Sequence, residues 1–356
     1  KKKKKKKEKK GKRKKHAKNK KQKATPGTQT GGGGKHTKIQ KGNRTIYIVG
    51  ANDERAEAKI RGLTLAGAYG DEVTLWAESF FNMLLSRLRV QNAQMFLTTN
   101  PDSPNHWLKK KFLDREDELD IKNFAFELDD NHTLDPKYVQ SLKAEYSPAS
   151  SLWYRRFING EWVMAEGAVY DCFDRLHNVV NELPKMREYW VGIDYGTTNP
   201  FTAILIGEGE DDKLYAVKEY YYDSKKGQRQ LSDAEYSREL TKFLDGYDVR
   251  RIFVDPSAAS FITQLWRDNH LGVSKANNNV QDGIRIVYNL LGSRKLQVHN
   301  SCTNLIEEIE SYVWDVKQQE KGEDKPLKRN DHAVDALRYA MISLGAIWRH
   351  WITRSE

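Results

Sequence analysis

Two cysteines in 356 residues, Cys172 and Cys302, are too few for a disulfide framework. A small extracellular scaffold stapled by bridges is excluded, and a reducing compartment is expected. No apolar run approaches the roughly 18 residues that a membrane span needs, and no charged-then-apolar leader opens the chain. Neither a membrane nor a membrane partner is therefore expected. Acid is scarce in the first 35 residues, which hold eighteen Lys or Arg and a single carboxylate, Glu8. The rest of the chain, with 42 basic and 48 acidic side chains, is mildly acidic, so the net charge of +11 belongs to the tail. Aromatic residues are plentiful, with nine Trp and seventeen Tyr, and a hydrophobic fraction of 38% is ample for a packed core. The length predicts two domains or one large one.

Residues Lys1 to about Lys41 are a lysine block followed by Thr, Gln and the run Gly31–Gly34. Like charges repel and nothing apolar is available to bury, so disorder is expected. Two readings of this tail stand: an arm that binds nucleic-acid phosphate through counterion release, and a reading-frame or fragment artefact. Ordered sequence is predicted from the strand Thr45–Val49, followed by a polar helix over Asp53–Arg61. Leu63–Tyr69 leads to Asp71 and Glu72. Phe80, Phe81, Leu84, Leu85 and Leu88 recur at helical spacing within Ala77–Leu88, and Gln94–Thr98 is a short strand. Strands alternating with helices over so short a span predict an α/β layer. Pro136–Tyr146 and Ser150–Asn159 read as helices, and Met164–Glu188 as a connecting region.

A cleaner pattern begins at Tyr189. The strands Tyr189–Asp194, Phe201–Gly207 and Leu214–Tyr222 are joined by short turn-like segments and predict an antiparallel meander. Next come a helix Ser232–Leu244, a strand Arg251–Val254, helices Ala258–Asn269 and Gln281–Leu291, and a strand Leu296–His299. A helix Thr303–Val316, a charged loop Lys317–Arg329 and a last helix Asp331–Leu344 complete the predicted elements. This order matches the RNase H-like fold.

Two aspartates sit where such a fold concentrates chemistry. Asp194 ends one apolar strand and Asp255 ends another, Ile252–Val254, and in an open sheet such strand ends converge on one edge. In the last helix, Asp331, His332 and Asp335 are spaced to share a face. If that face lies on the sheet edge, Asp194, Asp255 and Asp335 form a triad of hard oxygen ligands suited to Mg²⁺ or Mn²⁺. Two such ions about 4 Å apart activate water and stabilise the leaving oxygen in phosphodiester hydrolysis. Asp331 is expected to cap the last helix. Each residue alone reads equally as a turn former, a cap or a surface histidine; the set carries the reading.

The motifs resemble those of the large subunit of tailed-bacteriophage terminases, the motor-nucleases that cut and package viral DNA. WVGIDYGTTNPF (Trp190–Phe201), FVDPSAASF (Phe253–Phe261) and NDHAVDALRYA (Asn330–Ala340) look like the three metal-binding segments of the terminase nuclease domain. The resemblance implies that Asp194, Asp255 and Asp335 ligate metal, with His332 as a further ligand or a group steadying the scissile phosphate. GLTLAGAYGDEVTLW (Gly62–Trp76) resembles the Walker B segment of the packaging ATPase. Asp71 would then serve the nucleotide's Mg²⁺, and Glu72 would orient the attacking water. FLTTNPDSPNHW (Phe96–Trp107) resembles the coupling segment, in which Thr98, Thr99 and Asn100 sense the nucleotide state.

One part of the family pattern is missing. No phosphate-cradling G-x-x-x-x-G-K-[ST] precedes Asp71, since Gly34–Lys35 is followed by His36. The expectation is therefore an α/β chain with a partial P-loop ATPase-like region and an RNase H-like nuclease domain whose mixed sheet is flanked by helices. The divisions expected are 1–41 (basic tail), 42–163 (ATPase-like), 164–188 (linker) and 189–350 (nuclease). The first half of the ATPase is read as absent through truncation, gene splitting or decay, and ATP is expected as a cofactor only if another segment completes that site. Cationic loops at Lys225, Lys226 and Arg229 and at Lys317, Lys321, Lys325, Lys328 and Arg329 are candidates for gripping duplex DNA. Through the resemblance, a small terminase subunit and a portal ring are the expected partners, with a homo-oligomer forming on the portal. The expected place is the bacterial host cytoplasm, transiently on the procapsid. Two rivals are an RNase H-like junction resolvase or recombinase, and a degenerate prophage remnant that binds DNA or portal without catalysis.

Overall fold

The computed structural model describes residues 37–51, 56–227, 229–270 and 272–345. The tail up to residue 36, part of the helix predicted over 53–61 and the stretch 346–350 of the predicted last domain lie outside the described residues. The chain divides into two compact units between Thr99 and Asn100.

In the first unit, β1 (Thr37–Lys41) pairs antiparallel with β2 (Arg44–Ile48), Lys41 facing Arg44 across a turn at Gly42 and Asn43. Disorder was expected as far as Lys41, and this hairpin corrects it. Gly42 adopts φ +62°, which a tight hairpin turn requires, and the pairing gives the polar strand its backbone partners. The helices α1 (Glu57–Ile60) and α2 (Glu78–Leu85) accompany two parallel strands, β3 (Gly67–Gly70) and β4 (Gln94–Leu97). Ile60, Phe80 and Leu84 bury themselves with Ala68 and Met95 on one face of this pair. The alternate residues, Tyr69 and Phe96, are 68% and 65% exposed.

The second unit opens with the helices α3 (Trp107–Lys111), α4 (Pro136–Glu145), α5 (Leu152–Phe157) and the one-turn α6 (Arg175–Asn178). Its centre is a mixed seven-stranded sheet. The strands are β5 (Val179–Val180), β6 (Met186–Asp194), β7 (Phe201–Gly209), β8 (Leu214–Tyr222), β9 (Val249–Val254), β10 (Val273–Lys275) and β11 (Leu296–His299), ordered β10-β9-β6-β7-β8-β11-β5. The meander β6–β7–β8 is antiparallel as predicted, and β9 and β11 add in parallel on either side of it. Alternation along the strands supplies two cores. Val191, Ile193, Phe201, Leu205 and Val254 pack under α7 (Asp233–Phe243) and α8 (Ala259–Arg267). Trp190, Ile204, Ile206, Leu296 and Val298 lie in a core with residues of α9 (Val280–Gly292), α10 (Thr303–Ser311) and α12 (His332–Ser343).

Two features depart from the sequence reading. The helix expected over Thr303–Val316 ends at Ser311, and a separate α11 (Val316–Glu320) follows. Between them, Val313 bridges to Ala168 and Trp314 to Pro326, so distant strand-like pairing wins over local helical spacing. Residues 164–188, read as a connection, contribute β5 to the sheet and bury Ala165, Val169 and Tyr170 in its core. Among the described residues no helix is long and apolar enough to cross a membrane.

The approach of α12 to the sheet depends on one glycine. A Cβ at Gly192 of β6 would overlap the carbonyl of Ala336, so the bare backbone is what allows the helix to lie directly on the strand. Two residues further along the same strand, Asp194 faces that helix.

Candidate active site

β6 and β9 run parallel with Ile193 beside Val254, so the residues that follow, Asp194 and Asp255, emerge together at one sheet edge. The Asp255 N–H donates to the Ile193 carbonyl at 3.1 Å. The carboxylate of Asp255 accepts the Ser257 N–H at 2.8 Å, which fixes its direction. From α12, His332 Nδ1 lies 3.0 Å from Asp194 Oδ2, and Asp335 follows one turn later. All four line one cleft of about 860 Å³, whose wall also includes Asp331, Glu308, Lys225, Lys226, Lys328 and Arg329. The topology thus brings Asp194, Asp255, His332 and Asp335 together from three separate elements.

The cleft acids are braced by protein cations. Asp335 accepts from the buried Arg338 guanidinium at 2.8 Å, and the Lys328 ammonium lies 3.4 Å from its other oxygen and 3.3 Å from Asp331. Burial pushes the Asp194 carboxyl up to about 6; the neighbouring Asp335 and Asp255 charges add to this and the His332 hydrogen bond opposes it. Burial works against the His332 imidazolium, but the hydrogen bond and charge of Asp194 outweigh it and leave the ring above its ordinary value. A carboxyl held up by burial and an imidazole held up by that carboxyl, in contact, describe a pair that shares a proton.

Among the described residues no three His, Cys, Asp or Glu side chains close into a ready coordination set. The donor chemistry nevertheless fits a hard divalent cation: the groups are carboxylate oxygens gathered on one cleft, and burial makes that of Asp194 costly to ionise. Structural zinc, with its nitrogen and sulfur ligands, does not fit this set.

Some sequence expectations resolve differently. Asp331, expected as the α12 cap, makes no capping bond and points its carboxylate toward Lys328. Of the cationic candidates, Lys225, Lys226, Lys328 and Arg329 reach the cleft wall. Arg229 instead pairs with Glu235 at 2.8 Å, and Lys325 with Glu323 at 2.6 Å. Lys317 and Lys321 belong to α11 and its C-terminal end, away from the cleft wall. Two residues went unread. Arg338 had a visible signal, its three-residue spacing from Asp335 on one helix. Glu308 had none, because its contacts lie 25 residues away in sequence.

In the first unit, Asp71 and Glu72 follow β3 directly. Thr98 donates to Asp71 Oδ1 at 2.5 Å, and Thr99 Oγ1 accepts from the Thr74 N–H at 3.1 Å. Glu72 adopts φ +51°, a left-handed turn that starts the short helix after it. The acids and the two threonines therefore share one corner of the β3–β4 pair. Asn100 lies across the division, at the start of the second unit.

Residues 191–344 match the family described as the terminase RNaseH-like domain, and residues 3–176 that described as terminase large subunit, T4likevirus-type, N-terminal. The chain belongs to the terminase large-subunit family. It is 28% identical over 207 residues to the large terminase subunit of Escherichia phage T5, covering 55% of this chain and 46% of that protein. The chain thus spans about half the length of that relative. The large terminase of a thermophilic bacteriophage, solved in complex with ADP, is 39% identical at a TM-score of 0.79. That match covers 86% of this chain and 76% of the thermophilic phage's chain. The same phage terminase in complex with ATP-γ-S matches at 38% identity and a TM-score of 0.79, over 89% and 79% of the two chains. The acid cleft therefore lies in a terminase RNase H-like domain, and the Asp71 corner in the N-terminal terminase region that precedes it.

Proposed function

We propose that this chain carries the endonuclease of a viral DNA-packaging motor, cutting duplex DNA at the cleft with two divalent cations. The observation that carries the reading is the convergence of Asp194, Asp255, His332 and Asp335 on one cleft whose wall also bears four cations. Asp194, Asp255 and Asp335 would hold Mg²⁺ or Mn²⁺, which when bound supplies water activation and charge for the leaving oxygen. The chain's own residues do the rest. Lys225, Lys226, Lys328 and Arg329 bind backbone phosphate and set the strand's register. His332 steadies Asp194 and holds a proton beside it. Arg338 orients Asp335 from behind, as groups behind a ligand do. Cleavage is sequence-tolerant in this reading, since phosphate contacts carry no base information.

The domain division we propose is a basic tail ahead of the β1–β2 hairpin, an ATPase-like part within 42–163 and a nuclease (189–350) whose sheet and core take in residues 164–188 rather than leaving them a linker. Asp71 and Glu72 act on ATP and its Mg²⁺ once a phosphate-cradling loop, which this sequence does not contain, is supplied to them. Thr98, Thr99 and Asn100 report the nucleotide state, and the Thr98–Asp71 hydrogen bond supports that reading. A small terminase subunit, a portal ring and further copies of this chain on that ring complete the proposed motor, in the host cytoplasm and on the procapsid. Incubating the purified chain with supercoiled plasmid and Mn²⁺ tests the nuclease. Nicking or linearisation that disappears in Asp335→Ala is expected. Cutting confined to four-way junctions, or none with either metal, would overturn it.

A further inference from the structure

The helix that carries His332 and Asp335 does not cap itself. The first N–H groups of any helix need acceptors, and the residue placed to supply one, Asp331, turns its carboxylate to Lys328 at 3.3 Å. The acceptor comes from another helix. Glu308 of α10 takes the Ala333 N–H at 2.6 Å and the Val334 N–H at 3.1 Å on one oxygen. Its other oxygen accepts from the Tyr221 hydroxyl of β8 at 3.1 Å. Glu308 is 4% exposed, and both its oxygens are engaged.

The same device recurs one step back. α10 begins after Cys302, whose side chain makes no capping bond. Glu219 of β8 accepts instead from the N–H groups of Asn304 and Leu305, each at 2.9 Å. Glu219 and Tyr221 stand two apart on one face of β8. A central strand therefore fixes the start of α10 and grips Glu308, and Glu308 fixes the start of α12.

We propose that Glu308 is a positioning residue for the cation cleft: its borrowed cap sets the first turn of α12, and so His332 and Asp335, against Asp194. It also leaves Asp331 free to face the cleft. The inference rests on the cation-cleft reading above. Burial pushes the Glu308 carboxyl up to about 7, against the pull of its hydrogen bonds to Val334, Ala333 and Tyr221. A neutral amide of the same shape is therefore a fair replacement for it.

The test compares the full chain with Glu308→Gln, Glu308→Leu and Tyr221→Phe. Calorimetry reads Mn²⁺ binding, and hydrogen exchange reads the amides of Ala333 and Val334. Glu308→Leu is expected to lose about 10–100-fold in Mn²⁺ affinity, the usual cost of removing a group that orients a ligand, with faster exchange confined to the first turn of α12. Glu308→Gln keeps an acceptor oxygen and is expected to retain the protection and to stay within a few-fold of native affinity. Native Mn²⁺ affinity in Glu308→Leu would overturn the proposal. A loss in Glu308→Gln as deep as in Glu308→Leu would also do so, because the charge itself would then be touching the cation. If Glu308→Leu does not fold, Tyr221→Phe decides: a few-fold weaker Mn²⁺ binding supports the role, and unchanged binding ends it. A native chain that binds no Mn²⁺ would sink the cleft reading itself, before any variant is compared.

Discussion

Both units place acids at the ends of parallel strands, yet they prepare those acids differently. Asp71 and Glu72 follow β3 in a two-stranded pair and are exposed to solvent. Asp194 ends a central strand of seven and is roofed by α12, which the glycine at 192 admits. The roof removes water from Asp194, and that desolvation is the largest cause of its raised pKa. The same burial requires the helix above to bring its own counter-charges, His332 and Arg338. Strand topology sets where a carboxylate goes, whereas a covering helix decides how readily it ionises and what cation it demands.

The largest expected effect separates the two environments through their ion pairs. Arg338 is 1% exposed against Asp335, while Arg61 pairs with Glu57 across a helix surface with its side chain 69% exposed. Arg338→Met leaves a buried carboxylate without its main partner and should cost about 3–5 kcal/mol. Arg61→Met should cost about 0–1 kcal/mol. Urea melts of the two variants measure both. Similar losses at the two sites would mean that the cleft is far wetter than its burial implies.

A smaller effect sharpens the buried side. With its carboxyl held up to about 6, folded Asp194 keeps a proton that the unfolded chain has already released in the range below that. Its contribution to stability therefore falls as pH rises from the ordinary carboxylate range to about 6, and changes little above. Divalent-cation binding needs the anion, so it runs the other way. Mn²⁺ affinity should climb between about pH 5 and pH 6 and level off toward about pH 7. Calorimetric titration across that range checks the sign, and an affinity that is flat or falling would remove Asp194 from the ligand set.

Much of this arrangement was legible from sequence, because it follows from local patterns. Short turn-like joints between successive strands gave the meander, and an aspartate closing each of two apolar strands gave the sheet-edge acids. The spacing from His332 to Asp335 put both on one helix face. What sequence did not yield depends on distant partners. Asp331 obeys the local rule for a cap and loses that role to Glu308, which competes from another helix. The break after Ser311 comes from Val313 and Trp314 bridging to Ala168 and Pro326. β5 and β10, of two and three residues, are strands only because a parallel neighbour holds them. Arg229 looked like part of a cationic loop, but the capping box of α7 draws Glu235, and Arg229 with it, to the helix start.

That last difference gives the smallest effect. Lys225 and Lys226 line the cleft, whereas Arg229, only a few residues on, is held by Glu235. A cation that contacts phosphate releases a counterion, and removing it lowers the salt slope of DNA binding by about 1. An arginine already neutralised by a carboxylate releases none. Lys225→Ala and Lys226→Ala should therefore each reduce the slope by about 1 and weaken binding equally for all sequences, whereas Arg229→Ala should leave the slope unchanged. Fluorescence anisotropy with a duplex at several salt concentrations reads all three variants. A slope that drops for Arg229→Ala, or stays put for both lysines, would mean that DNA approaches the acids from another side of the cleft.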